Sequence, residues 1–405
     1  MKNNFIVGID IGTNKICTVI GQVNGDSSES IEVIGYGVTE SKGIRKGVIV
    51  DMNTTVEDIR KSVKEAELTA GVEIESAFVN ISGGHIETRT GKGSINISGR
   101  NSEITKEDVD RAVKHGSGML LPQDREILHI LTQEFIVDTQ EDIKDPIGMI
   151  GSSLDVYVVV VTSTKTALNN LLTALKRAKI NVSNVVLSHI ATAESVLTED
   201  EKDLGVALID IGEGTTDFSV FEKGALSYAK SFPVGGAHFT SDLRVGIRAQ
   251  ADVVERIKRK YGLGLNPDLH DENFETPSVG GNKKRMISVS LLPQILRPRA
   301  EEIFEIVKRE LEKSAFDKRI NAGIVVTGGT SMLKDLLEVA DEIFDAPIRI
   351  GKPVGMGGLI DKVNTPDFST AIGLLKYGLI DYKNSGEFSA KNKGMFDKLK
   401  DFFGF

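Results

Sequence analysis

The chain has 405 residues, 40% of them hydrophobic and 6% aromatic, with no Trp and one cysteine, Cys17. That length exceeds what a single core usually reaches and predicts two or more domains, and the apolar fraction excludes wholesale disorder. A lone cysteine excludes a disulfide framework or a Cys-based zinc site and suits a reducing compartment, and a net charge of −9 argues against non-specific nucleic-acid binding.

In chain order, Phe5–Ile11 is short and contains Asp10, so it reads as a buried strand and not as a secretory leader. A second apolar run at Ile16–Ile20, a Gly turn near Gly25 and a third run predict a three-stranded meander. Asp51 then caps a helix whose Val56, Ile59, Val63 and Ala70 recur at helical spacing, ending at Gly71. Residues 83–160 read as a compact α/β insert, with Ser82-Gly-Gly84 at its entrance, a helix from Thr105, and strands near Ile127–Val137 and Leu154–Val161. Its run Val156–Val161 is far short of the roughly 20 residues that a spanning helix needs. Thr164–Ala178 is an amphipathic helix with Leu168, Leu171, Leu172 and Leu175 on one face.

The meander then returns. Gly205–Gly212 repeats the Ile-Asp-Ile-Gly of residues 9–12 and is followed by a run at Phe218–Phe221 and a turn at Gly224. Ala249, Val253, Ile257 and Tyr261 follow at i, i+4 spacing. Residues 263–290 read as an irregular connection, followed by a helix over Arg299–Ser314 and a strand Ala322–Thr327 running into Gly328-Gly-Thr-Ser331. A polar linker is expected over 383–393.

A strand delivering Asp-x-Gly into a tight turn suits phosphate chemistry. Gly12, Gly212 and Gly214 allow backbone N–H groups to approach phosphate oxygens, while Thr13, Thr215 and Thr216 add hydroxyls and Lys15 a cation. Asp10 and Asp210, each ending its strand, are placed to hold a hydrated Mg²⁺. Neither Gly-x-x-x-x-Gly-Lys-[Ser/Thr] nor a dinucleotide-type Gly-x-Gly-x-x-Gly unit is present, and six scattered His give no hydrolase metal signature.

Ile9–Lys15 (including Asn14), Asp210–Asp217 and Thr327–Ser331 resemble the phosphate-1, phosphate-2 and adenosine motifs of the actin/Hsp70/sugar-kinase superfamily. Segments 188–198 and 366–378 are similar to its two connecting helices at the hinge, and Val254–Arg259 to its Glu-x-x-Lys adenosine helix. Within that superfamily the chain resembles the FtsA family of bacterial actin-like cell-division proteins. The likeness rests on Ser82-Gly-Gly-His-Ile86, Leu197–Glu201, Pro233–His238 and the amphipathic C-terminal end.

The resemblance implies an α/β, two-lobed actin-like fold with an insert subdomain 1C. The expected divisions are 1–82 and 161–203 in subdomain 1A, 83–160 in 1C, 204–230 and 321–365 in 2A, 231–320 in 2B, and 366–382 returning to 1A. It further implies ATP with Mg²⁺ in the cleft, with at most slow hydrolysis. Gly328, Gly329 and Thr330 would then meet the adenosine, and Glu255 and Lys258 the ribose and base. Candidate groups for hydrolysis are Asp210, Glu194 (where the actin pattern has a water-positioning Gln) and Glu213, whose charge would either orient water or repel the γ-phosphate. The implied partners are the chain itself in a head-to-tail filament, other division proteins, and the acidic C-terminal peptide of FtsZ. Arg297 and Arg299, in a locally basic stretch, are the first candidates to receive that peptide.

From Lys383 onward there are five Lys against Glu387, Asp397 and Asp401, and five of the 17 Phe. In the last twelve residues, 394–405, Met395, Phe396, Leu399, Phe402 and Phe403 form one helical apolar stripe. At roughly 18 Å this helix is too short to span a bilayer and suits an interfacial foot on anionic lipids at the cytoplasmic face of the membrane. Two rival readings are a pilus-assembly scaffold of the PilM type and a sugar or small-acid kinase; an Hsp70-like chaperone lacks room for its peptide domain after residue 382.

Overall fold

The computed structural model describes residues 5–24, 30–98, 102–118, 121–277 and 284–385. It contains two lobes built on one plan, with a third small unit inserted into the first. Lobe I opens with the expected meander, β1 (Phe5–Ile11), β2 (Lys15–Asn24) and β3 (Ser30–Glu40), antiparallel throughout. A two-residue hairpin follows, β4 (Ile44–Arg45) and β5 (Val48–Ile49), and then α1 (Met52–Ala70). Asp51 caps α1 by accepting from the Thr54 N–H, and Gly71 ends it in the left-handed conformation. The helix returns the chain to β6 (Ser76–Ile81), which pairs in parallel with β1.

The insert has its own antiparallel sheet in the order β7-β10-β8-β9, made of β7 (Glu87–Asn96), β8 (Arg125–Val137), β9 (Gln140–Ile143) and β10 (Ser153–Thr164), with α2 (Lys106–Ser117) packed on β7. Its core, around Ile104, Phe135, Leu154, Val156 and Val158, is separate from those of the lobes. β7 escapes the sequence reading because it is a largely exposed edge strand with only Ile95 among its large apolar residues. Lobe I then resumes with α3 (Lys165–Ala178) and β11 (Asn181–Leu187), which extends its sheet to β11-β6-β1-β2-β3, with β19 (Gly357–Gly358) added beside β3. α4 (Ser188–Val196) and the short α5 (Glu199–Leu204) lead into lobe II.

Lobe II repeats the meander with β12 (Val206–Ile211), β13 (Thr216–Glu222) and β14 (Ala225–Phe232). Helices α6 (Gly236–Ile247), α7 (Ala251–Tyr261) and α8 (Leu291–Lys313) precede β17 (Ile324–Thr327), parallel to β12 as β6 is to β1. The segment expected to be irregular carries a hairpin, β15 (Asn273–Pro277) with β16 (Lys284–Ser288). α8 begins eight residues before Arg299 and passes through Pro298, because its buried stripe, Leu292, Leu296, Ala300, Ile303 and Val307, continues unbroken across the proline. α9 (Leu336–Ile343) and β18 (Ile348–Ile350) complete the lobe. Phe218, Phe239 and Phe304 are fully buried in its core.

The chain returns to lobe I through β19 (Gly357–Gly358), α10 (Ile360–Val363) and α11 (Ser369–Ser385). α4 and α11 cross between the lobes as the sequence predicts for the hinge, joined by Ser195 Oγ donating to the Ser369 carbonyl at 2.7 Å. α11 extends to Ser385, so the first three residues of the expected linker are helical. The remainder of the linker and the foot residues Met395, Phe396, Leu399, Phe402 and Phe403 lie outside the described residues. No helix among the described residues is long and apolar enough to cross a membrane.

Candidate functional site

A cleft of about 490 Å³ separates the lobes, lined by the turns that follow β1 and β12. The two turns are built alike. The Gly12 N–H donates to the Lys15 carbonyl at 3.0 Å and the Gly212 N–H to the Thr215 carbonyl at 2.9 Å. Register repeats as well, with Asp10 opposite Cys17 and Asp210 opposite Asp217. These two glycine N–H groups therefore close their own hairpins, which leaves any approach to an anion to the other backbone N–H groups of the turns. Thr13, Asn14, Lys15, Gly214 and Thr215 face the cleft. The loops touch: a Cβ on Gly214 would come within 2.7 Å of the Thr13 side chain, so only glycine permits this approach.

Carboxylates form the floor of the cleft. Asn80 Nδ2 donates to Asp10 Oδ1 at 2.6 Å, and the Thr192 and Thr370 hydroxyls donate to Asp210 Oδ2 at 3.0 and 3.4 Å. Despite these donors, burial raises Asp10 to about 6, opposed chiefly by Lys15. Burial, then the charge of Asp217, raises Asp210 to about 7. Asp217 is the site residue that the sequence reading overlooked, although it closes the quoted phosphate-2 motif. It is buried, lines the cleft, and its Oδ1 has no partner among the described residues. Asp367 was missed too. Its carboxylate holds Lys15 Nζ at 2.6 Å, and that ammonium also lies 4.0 Å from the Phe368 ring centre.

Gly328, Gly329 and Thr330 line the lobe II wall, and Thr330 Oγ1 donates to the Gly212 carbonyl at 2.9 Å. Beside them Glu255 and Lys258 project from α7, with Lys258 Nζ 2.7 Å from both Glu255 Oε1 and Thr240 Oγ1. The structure thus gathers most of the expected ligand-binding residues around one cavity.

Several expected residues stand elsewhere. Thr216 is fully buried and donates to the Val234 carbonyl at 2.9 Å, so its hydroxyl is spent inside lobe II. Glu213 lines the cleft, and burial raises its carboxyl, but the charges it senses are Lys258, Glu255 and Arg259 of α7 and not the aspartates. Glu194 does not line the cleft. It pairs with the buried Lys202 ammonium at 2.9 Å, which also meets Glu199 at 3.0 Å, so it stands away from the place expected of a water-orienting group. Glu194→Gln is therefore expected to lower thermal stability by about 1–3 kcal/mol, because it weakens the pairing of a buried ammonium, and to leave the cleft itself unaltered; thermal unfolding with and without a cleft ligand checks this.

Arg297 and Arg299 sit within α8 and do not start it. Arg299 grips Asp242 of α6 through two nitrogens, at 2.6 and 3.1 Å, and also pairs with Glu302. Arg297 pairs with Glu301 at 2.8 Å and with Glu342. Of the other basic residues there, Lys284 pairs with Glu275 and Arg285 donates to the Ile247 and Arg248 carbonyls.

The profile described as "Cell division protein FtsA" matches residues 207–373, and "SHS2 domain inserted in FTSA" matches 83–162. A cell division protein FtsA of Pseudomonas aeruginosa is 40% identical over 93% of this chain and 90% of its own length. The chain belongs to the FtsA family of cell division proteins. The FtsA of Neisseria meningitidis is 41% identical over 92% of the chain and 90% of its own length, and that of Borreliella burgdorferi is 35% identical over the full length of both. Among solved structures, a PilM-PilN type IV pilus biogenesis complex aligns with a TM-score of 0.66 at 15% identity, covering 92% of this chain and 98% of that one. MreB5 of Spiroplasma citri bound to ADP aligns at 0.57 and 15% identity, covering 96% and 100%. At such identities these two likenesses establish the actin-like fold of this FtsA-family chain and nothing finer.

Proposed function

We propose that this FtsA-family chain binds ATP with Mg²⁺ in the interlobe cleft, assembles head to tail, and tethers FtsZ filaments to the cytoplasmic face of the membrane at the division site. The observation that carries the nucleotide reading is the aspartate floor. Asp10, Asp210 and Asp217 are gathered at one cleft, with Lys15 the main opposing cation. That deficit of positive charge and the unpartnered Asp217 Oδ1 fit a hydrated divalent ion, which these carboxylates would hold and which would supply positive charge beside a phosphate. The fold shared with an ADP-bound MreB supports the same reading.

In this reading Asp10 and Asp210 would hold the ion, which would supply positive charge against the phosphates. Asn80, Thr192 and Thr370 fix the carboxylates that do so. Lys15 is kept extended by Asp367 and the Phe368 face, ready to share its charge with a phosphate. Glu255, Thr240 and Lys258 present a preassembled polar set to a ribose. With Glu194 outside the cleft and Glu213 in the field of the α7 charges, this reading is one of holding nucleotide rather than rapid hydrolysis.

Head-to-tail contacts are heterologous and give an open filament, which multiplies a weak membrane foot through avidity. The apolar stripe of residues 394–405 supports the tether. An acidic FtsZ peptide at Arg297 and Arg299 would exchange with Asp242, Glu301, Glu302 and Glu342, so its binding should weaken steeply with salt.

Cosedimentation with anionic liposomes tests the tether. The full chain with ATP and Mg²⁺ is expected to sediment and to carry FtsZ down, and a chain lacking 394–405 to leave both in solution. A full chain that stays in the supernatant overturns the tether and favours a scaffold without a membrane foot.

A further inference from the structure

The Ser82-Gly-Gly-His85 stretch, at the point where lobe I gives way to the insert, has no task in the nucleotide reading. Ser82 Oγ nevertheless donates to Asp217 Oδ2 at 2.5 Å, from lobe I to lobe II. The same stretch is fastened to the body of the insert. Arg125, buried on β8, donates to the His85 carbonyl at 2.9 Å and to the side chain and carbonyl of Thr162 on β10 at 3.0 and 3.1 Å. A continuous chain of contacts therefore runs from the cleft floor through Ser82, His85 and Arg125 into the sheet of the insert.

The insert also grips lobe II along the outer edge of β14, and the polar contacts there come from side chains. Thr88 Oγ1 donates to the Ala229 carbonyl at 3.1 Å and Gln133 Nε2 to the Leu226 carbonyl at 2.8 Å, while Lys223 Nζ meets Glu134 at 2.8 Å and Asp142 at 2.5 Å. Among the described residues no strand ladder joins the insert to β14. Leu128, Val159 and Val161 of the insert also share a buried apolar cluster with Leu226 and Ala229 of β14, so what can be exchanged without dismantling a sheet or that cluster is the polar side-chain contacts around it. β14 pairs with β13, and Ser231 stands opposite Asp217.

We propose that the Ser82–Asp217 hydrogen bond is a latch through which the contents of the cleft set the position of the insert. The proposal rests on the nucleotide reading of that cleft. While Asp217 keeps Ser82, the insert stays clamped to lobe II. Asp217 Oδ1 is free for a ligand of the cleft, and its engagement would draw charge from the carboxylate and weaken the bond that Oδ2 accepts from Ser82, which lets the insert shift. Ser82 is thus a positioning residue for the insert, and coupling passes through physical contacts between two alternative arrangements.

Hydrogen–deuterium exchange on the full chain tests this, with Mg²⁺ and a non-hydrolysable ATP analogue at saturation, fixed for each variant by titration with a fluorescent analogue. In the wild type, saturation is expected to raise deuterium uptake at least twofold in peptides covering 87–96 and 125–137. Ser82→Ala should show the raised uptake without nucleotide and no further rise with it, while Ser82→Thr should respond as wild type does. Unchanged or reduced uptake in a wild type shown to be saturated overturns the latch alone, as does a Ser82→Ala protein that responds like wild type. Failure of the wild type to bind in the titration overturns the nucleotide reading and the latch together.

Discussion

Asp210→Asn is expected to yield a protein that is more stable at pH 8 than the wild type and unable to hold a Mg²⁺–nucleotide complex. Burial raises the Asp210 carboxyl to about 7, from an ordinary 3.8. A carboxyl whose folded value is raised supports the fold fully below its unfolded value and loses that support as pH rises through the folded one. Across that window the wild type without ligand must take up a buried negative charge, at a cost on the order of 4 kcal/mol at 1.36 kcal/mol per unit. Asparagine removes that cost and keeps an oxygen to accept from Thr192 and Thr370. The difference in melting temperature between variant and wild type should therefore be small near pH 4, widen between pH 5 and pH 8, and favour the variant. Asp10, raised to about 6, keeps a smaller dependence of the same sign in both proteins. Adding Mg²⁺ and nucleotide should then raise the wild type's melting temperature and leave the variant's unchanged. Equal melting temperatures at pH 8 would show that the aspartate floor stores no electrostatic strain and would remove the main support for a cation there.

The sequence made the duplication, both Asp-x-Gly turns and the two connecting helices legible, because each depends on local signals. Asp51 and Gly71 mark the ends of α1, and Ile-Asp-Ile-Gly recurs at the same place in each meander. It could not show what a side chain does once the chain is folded. Glu194 is on the expected helix, yet the partner that holds it away from the cleft, Lys202, reaches it from the next helix. Thr216 has the right residue type in the right loop, but the alternation of β13 turns it inward to Val234. Asp217 sits two residues into a strand, where a carboxylate reads as ordinary polarity until pairing sets it opposite Asp210. Arg299 looked available because its partner Asp242 lies on another helix, 57 positions earlier. Long-range pairing of this kind decides which charges are free, and no periodicity or spacing encodes it.

Gly373→Ala is expected to have the largest effect on stability of any single methyl addition at the hinge. On α11, a Cβ at this position would lie 1.6 Å from the Ala191 carbonyl oxygen and 2.3 Å from its carbon, both backbone atoms of α4 that no rotamer change can move. The two helices must separate or shear to accept it, and overpacking against backbone costs about 3 kcal/mol or more. The damage reaches the site because the crossing also sets the aspartate floor. Thr370 lies one turn before Gly373 on α11; Thr192 of α4 donates to Asp210 Oδ2 at 3.0 Å, and the Thr370 hydroxyl, 2.9 Å from Thr192 Oγ1 and 3.4 Å from Asp210 Oδ2, has one hydrogen to give to either. Displacing α11 by an ångström would break the weaker of those bonds, the 3.4 Å contact from Thr370, and turn Asp210 away from its present orientation. The variant should therefore melt well below the wild type and, at temperatures where it remains folded, bind Mg²⁺–nucleotide at least tenfold more weakly. Gly84→Ala is the control, since a Cβ there meets nothing within 4 Å, and it should stay within about 0.5 kcal/mol of wild type. Thermal unfolding by circular dichroism and fluorescent-nucleotide titration read both effects. If Gly373→Ala unfolds and binds as the wild type does, the helix crossing does not control the cleft.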